Sequence, residues 1–70
     1  MDNITATFDD KMLYCSITLS KHGQLIPQST FNEIQNTLAK LYKTRDESKL
    51  ALLLDQCILL NLGKPLTRNF

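Results

Sequence analysis

Apolar residues follow one spacing in the first third of this chain and another in the rest. Leu13, Cys15, Ile17 and Leu19 alternate with Tyr14, Ser16, Thr18 and Ser20. Alternation with a period of two predicts a strand with one face buried. Upstream, Ile4, Ala6 and Phe8 alternate with Thr5 and Thr7, and Asp9-Asp10-Lys11 between the two runs has the chemistry of a turn. The expected element is an antiparallel β-hairpin pairing 3–8 with 12–20. A competing account makes 10–22 a short helix, capped by Asp9 and stopped by Gly23. The Thr, Ile and Tyr content of the segment weighs for the strand. Lys21-His22-Gly23-Gln24 reads as a turn, and Pro27 ends any extended segment.

Further on the period becomes helical. Phe31, Ile34, Leu38, Leu41 and Tyr42 share a stripe roughly 100° wide at about 100° per residue, with Asn32, Glu33, Asn36, Lys40 and Lys43 outside it. Thr30-x-x-Glu33 is a capping box that sets the helix start near 30. A second box, Thr44-x-x-Glu47, starts a new helix near 45 that runs to Leu62, where Gly63 suits the left-handed exit and Pro65 forbids continuation. One continuous helix over 30–62 is the alternative. Extending the first stripe in heptads, however, sets Arg45, Ser48 and Asp55 on the apolar seam, so a tight joint at 43–46 is expected.

The segment Ser48–Leu62 is the most apolar of the chain: nine of its fifteen residues are Leu, Ile or Cys, and only Lys49 and Asp55 are charged. Leu50, Leu53, Leu54, Cys57, Ile58 and Leu60 form a wide main stripe. Leu52 and Leu59 lie nearly opposite, bordered by Asp55 and Gln56. These four residues are the expected partner interface, since an interface core is bordered by a polar rim.

The fold class that follows is α+β, a small N-terminal β-hairpin packed on an antiparallel helical hairpin, with a mostly α fold of two to three helices as the alternative. Residues 1–70 form one domain, with 64–70 a candidate flexible tail whose Phe70 is either loose or docks as a short motif.

Length sharpens the reading. A chain of 70 residues buries only roughly 60% of the surface its unfolded form exposes, and such chains lean on a staple, a metal or a partner. Cys15 and Cys57 sit inside apolar runs and read as buried, reduced thiols, which suits a cytoplasmic, reducing compartment. Met1-Asp2-Asn3 lacks the basic opening of a signal peptide, and the apolar run of the last helix, broken by Asp55-Gln56, is too short to span a bilayer.

Net charge is +1, which favours neither nucleic acid nor membrane. Lys40, Lys43, Arg45 and Lys49 gather at the helix joint as a possible basic patch, diluted by Asp46 and Glu47. His22 is the lone histidine, with no second ligand at metal spacing. Ser16, Ser20, His22 and Asp10 form no nucleophile elbow, Asp9-Asp10 and Asp46-Glu47 suit turns or caps, and two glycines make no phosphate loop. Phe8, Tyr14, Phe31 and Tyr42 do not interleave with basic residues. No cofactor, metal, membrane or small-molecule substrate is therefore expected, and the chain is not expected to be an enzyme.

What remains is a small protein–protein interaction module, an adaptor, chaperone-like or regulatory subunit. It is expected to form a homodimer or to bind another protein through the helix over 45–62. The alternative is a small dimeric DNA-binding transcriptional regulator. A strand followed by two helices is the element order of a ribbon-helix-helix repressor, but Tyr14, Ser16, Thr18 and Ser20 on the outward strand face supply no Arg, Lys, Asn or Gln to read base edges.

Overall fold

The structure is a computed structural model that describes residues 6–66. Three α-helices make it up, α1 (Phe8–His22), α2 (Gln28–Thr44) and α3 (Glu47–Asn61), with a 3-10 turn over Gly23–Leu25 between the first two. There is no strand among the described residues. The expected β-hairpin, and with it the α+β class, is therefore overturned. Residues 3–5 of its first strand lie outside the described residues, and the rest of the two runs is almost wholly helix.

The physical reason is a second period hidden under the alternation. Phe8, Met12, Cys15 and Leu19 are spaced by four, three and four residues, which stacks them along one side of a helix. Met12, Cys15 and Leu19 are buried, and Phe8 packs against them. A strand would bury Cys15 and Leu19 but lose Met12. The helix also has a strong start that alternation does not reveal. The Thr7 hydroxyl accepts from the Asp10 backbone N–H at 3.1 Å, and the Asp10 carboxylate accepts from the Thr7 N–H at 3.1 Å. Each partner satisfies an amide that a helix end leaves open. The β-branched Thr18 is accommodated because its hydroxyl donates to the Tyr14 carbonyl at 2.9 Å. The competing helical account was the better one, with the cap at Thr7 rather than Asp9 and the end at Gly23 as expected.

α2 starts at Gln28, directly after Pro27, whose carbonyl accepts from the Phe31 N–H at 3.0 Å. The Thr30-x-x-Glu33 box is not used as a cap: Thr30 lies a turn inside the helix and is buried. The expected stripe holds for Ile34, Leu38 and Leu41, whereas Tyr42 is exposed. The break after α2 is where the sequence put it. Arg45 takes a left-handed conformation (φ 55°) and its N–H closes the helix on the Leu41 carbonyl at 3.0 Å. Asp46 then caps α3, accepting from the Lys49 N–H at 3.1 Å, in place of the expected Thr44. At the far end Gly63 (φ 75°) and Lys64 donate back to the carbonyls of Leu60 and Leu59 at 3.0 and 2.9 Å. This crossed pair of bonds is the Schellman ending that Gly63 predicted.

α3 packs most extensively against α1 rather than α2. Arg45, just before α3, pairs with Asp9 at the start of α1, and Asn61 at the end of α3 bonds Thr18 near the end of α1. The two helices therefore run in the same direction, with α2 as the return connection from one to the other. The core joins Met12, Cys15 and Leu19 to Ile34, Leu38 and Leu41 and to Leu50, Leu53 and Cys57. No helix among the described residues is long and apolar enough to cross a membrane.

Candidate interaction surface

α1 carries apolar residues on two sides. Its inner stripe fills the core. On the outer side, Leu13, Tyr14 and Ile17 are 58%, 39% and 56% exposed. Ser16 and Ser20 face α2, where they line a cleft with Phe31, Gln35 and Tyr42. Tyr14, set about 200° around the helix from Ser16, turns to the opposite flank, toward α3.

That flank is tied down by one side chain. The Asn61 amide donates to the Tyr14 hydroxyl at 2.8 Å, to the Thr18 hydroxyl at 2.8 Å and to the Cys57 carbonyl at 3.2 Å. Ile58, one turn back, and Leu62, one residue on, lie just outside Asn61 on α3 and are 41% and 64% exposed. Tyr14 thus joins Asn61 across the α1–α3 seam, with Ile17 and, further round α1, Leu13 exposed on one side of this clasp and Ile58 and Leu62 exposed on the other. Exposed apolar side chains gathered on two neighbouring helices make this outer side the candidate interaction surface.

The residues expected to form the interface separate. Leu52 is 42% exposed, Leu59 is half-buried and Asp55 is exposed, so these three stay on the outer side of α3, beside the new face. Gln56 does not border them, because it turns inward and is 4% exposed. The basic residues are brought together only in part. Arg45 donates to Asp9 at 2.9 Å and its guanidinium lies 4.3 Å from the centre of the Phe8 ring. Lys40 and Lys49 flank a shallow cleft shared with Asp46, and Lys43 is exposed. Together they make a helix joint bearing its own acids rather than a continuous basic face. With α1 in place of the expected strand, the ribbon-helix-helix element order falls away as well.

Cys15 and Cys57 are free thiols, buried and hydrogen-bonded to each other. Cys57 is pushed far up from the ordinary thiol range, first by the hydrogen bond to Cys15 and then by burial. His22 is half-buried at the end of α1, and no group of three metal-ligating side chains forms among the described residues. A cleft of about 470 Å³ opens between the 3-10 turn and the C-terminal segment, lined by Leu25, Ile26, Thr30, Leu60, Pro65 and Leu66 among others. Its lining includes no acid, histidine or cysteine. Leu66 packs against the core, so the expected flexible tail starts anchored, and Phe70 lies outside the described residues.

Sequence reasoning missed Leu13 and Ile17 as surface residues because it read both as the buried side of a strand. No protein-family model, curated protein or solved structure matches this chain.

Proposed function

We propose that this chain is a small non-catalytic protein-interaction module whose contact surface is the outer face of α1 and α3. The observation that carries this reading is the joint exposure of Leu13 and Ile17 on α1 and of Ile58 and Leu62 on α3, the two helices that the Asn61–Tyr14 clasp joins. Placing such side chains in water forgoes about 25 cal/mol per Å² of apolar surface that a partner would recover. A helix pair with an apolar outer face is suited to receive a partner helix with anchors at helical spacing. The contact surface thus shifts from α3 alone to the seam it shares with α1.

The test is site-specific photocrosslinking in cells that produce the chain. A photoreactive side chain replacing Ile17 or Leu62 should give a discrete protein adduct, and one replacing Asn36 on the exposed side of α2 should not. Equal crosslinking from all three positions, or none from Ile17 and Leu62, would overturn the reading.

A further inference from the structure

The outer stripe of α1 has an internal symmetry. Asp10, Tyr14, Ile17 and Lys21 follow one another at intervals of four, three and four residues. That spacing sets all four on one side of the helix: Asp10 and Lys21 differ by only about 20° in direction and are about 16 Å apart along the axis. An acid stands at one end, a base at the other, and two apolar residues between. All four are at the surface, with Ile17 56% and Tyr14 39% exposed.

Such a stripe is complementary to itself when reversed. We propose that the occupant of this face is a second copy of the same chain, docked through an antiparallel pairing of α1 with α1 about a two-fold axis that passes between positions 15 and 16. Four layers follow. Asp10 of one copy meets Lys21 of the other at each end, and Tyr14 meets Ile17 in the two middle layers. A two-fold interface must match a surface patch with itself, and here both the charges and the apolar pair do so in one register. The parallel pairing opposes Asp10 to Asp10 and Lys21 to Lys21, which disfavours it. A shift of one turn loses both ion pairs.

The other features of the face fit the same pairing. Leu13 sits one turn before Ile17 and widens the apolar strip. The Tyr14 hydroxyl already accepts from Asn61, so the ring is held with its edge fixed and its face free to pack. Asp10 accepts the Thr7 N–H through one carboxylate oxygen, Oδ2. The other oxygen remains able to accept from a lysine. Lys21 takes part in no ion pair among the described residues.

This inference rests on the interaction-module reading, and its test separates the two. Sedimentation equilibrium of the full chain, from low micromolar to millimolar concentration, should show reversible growth to twice the chain mass. Ile17→Glu should leave a helical monomer throughout. Lys21→Glu, which turns both end pairs repulsive, should weaken association about ten-fold at low salt. Adding Asp10→Lys to Lys21→Glu restores opposite charges in the reversed sense and should recover association, even though it gives up the cap at Thr7. Circular dichroism of each variant reports the fold separately. A wild-type chain that stays monomeric over the whole range overturns the self-pairing. So does an Ile17→Glu or Lys21→Glu chain that associates as the wild type does. If the wild type is monomeric while Ile17 still crosslinks to a protein of another mass in cells, the module reading stands and only the choice of partner fails. If neither association nor an adduct is seen, both fail.

Discussion

The Asn61 side chain at the end of α3 hydrogen-bonds the Thr18 hydroxyl of α1 at 2.8 Å, across 43 residues of sequence. The Thr18 hydroxyl in turn donates a hydrogen bond to the Tyr14 carbonyl at 2.9 Å. One amide thus ties α1 to α3 in the rotation that the buried stripe of Met12, Cys15 and Leu19 sets, with Leu13 and Ile17 outside.

Asn61→Ala removes the clasp and should lower stability by about 1–2 kcal/mol, because Thr18 is buried and loses a partner. Asn61→Asp keeps the shape but loses the amide donors, and should cost at least as much at neutral pH. Urea denaturation followed by circular dichroism measures both. Equal stability of wild type and Asn61→Ala would show that the clasp does not hold the seam.

Arg45 occupies a left-handed position that favours glycine, and repays the strain through Asp9 and Phe8. Arg45→Ala keeps the strained backbone and loses both contacts. Arg45→Gly loses the same contacts but relaxes the backbone, so it should be more stable than Arg45→Ala by about 1 kcal/mol. The ion pair itself contributes little, since both side chains are largely exposed. Thermal melts of the two variants give the order, and the reverse order would contradict the assigned conformation.

Gly23 closes α1 where the Phe31 ring lies against its backbone, and a Cβ at that position would overlap the ring. The strain is steric rather than torsional, because Gly23 has an ordinary right-handed conformation (φ −59°). Gly23→Ala should cost about 1–3 kcal/mol. Pairing it with Phe31→Leu should recover part of that loss, and chemical denaturation of the single and double variants checks the coupling.

Cys15 and Cys57 should react with a thiol reagent only as fast as the chain opens. Both are buried, at 0% and 2% exposure, and face each other across the α1–α3 seam. Labelling followed by mass spectrometry should show protection in buffer and two rapid additions in denaturant. Fast labelling in buffer would place the seam at the surface.

Much of the helical part was legible in the sequence. The stripe of Ile34, Leu38 and Leu41, the break at Arg45-Asp46 and the exit at Gly63 were all readable, because stop signals and a single helical period agree there. Cap residues were less legible. Several Thr, Ser and Asp residues near a start can each serve, and packing chose Asp46 over Thr44 and Pro27 over Thr30. The first third misled for a specific reason. A helix with two apolar stripes, Phe8-Met12-Cys15-Leu19 inside and Leu13-Tyr14-Ile17 outside, contains an alternating subset that imitates a strand. The same doubling hid the candidate surface. Leu13 and Ile17 looked like core, while Leu52 and Leu59 on α3 looked like the apolar residues without a partner.

The most direct test of the interaction face is a residue-by-residue one: amide nuclear magnetic resonance spectra of the full chain over a dilution series. Amide signals of Asp10, Leu13, Tyr14, Ile17 and Lys21 should move together with concentration, Ile58 and Leu62 should follow by less, and Asn32, Asn36 and Lys40 on α2 should stay fixed. Ile17→Glu should freeze all of these shifts, and Leu52→Glu should leave them as they are. Spectra that do not change with concentration, or shifts centred on α2, would contradict the assignment of α1 as the self-pairing face.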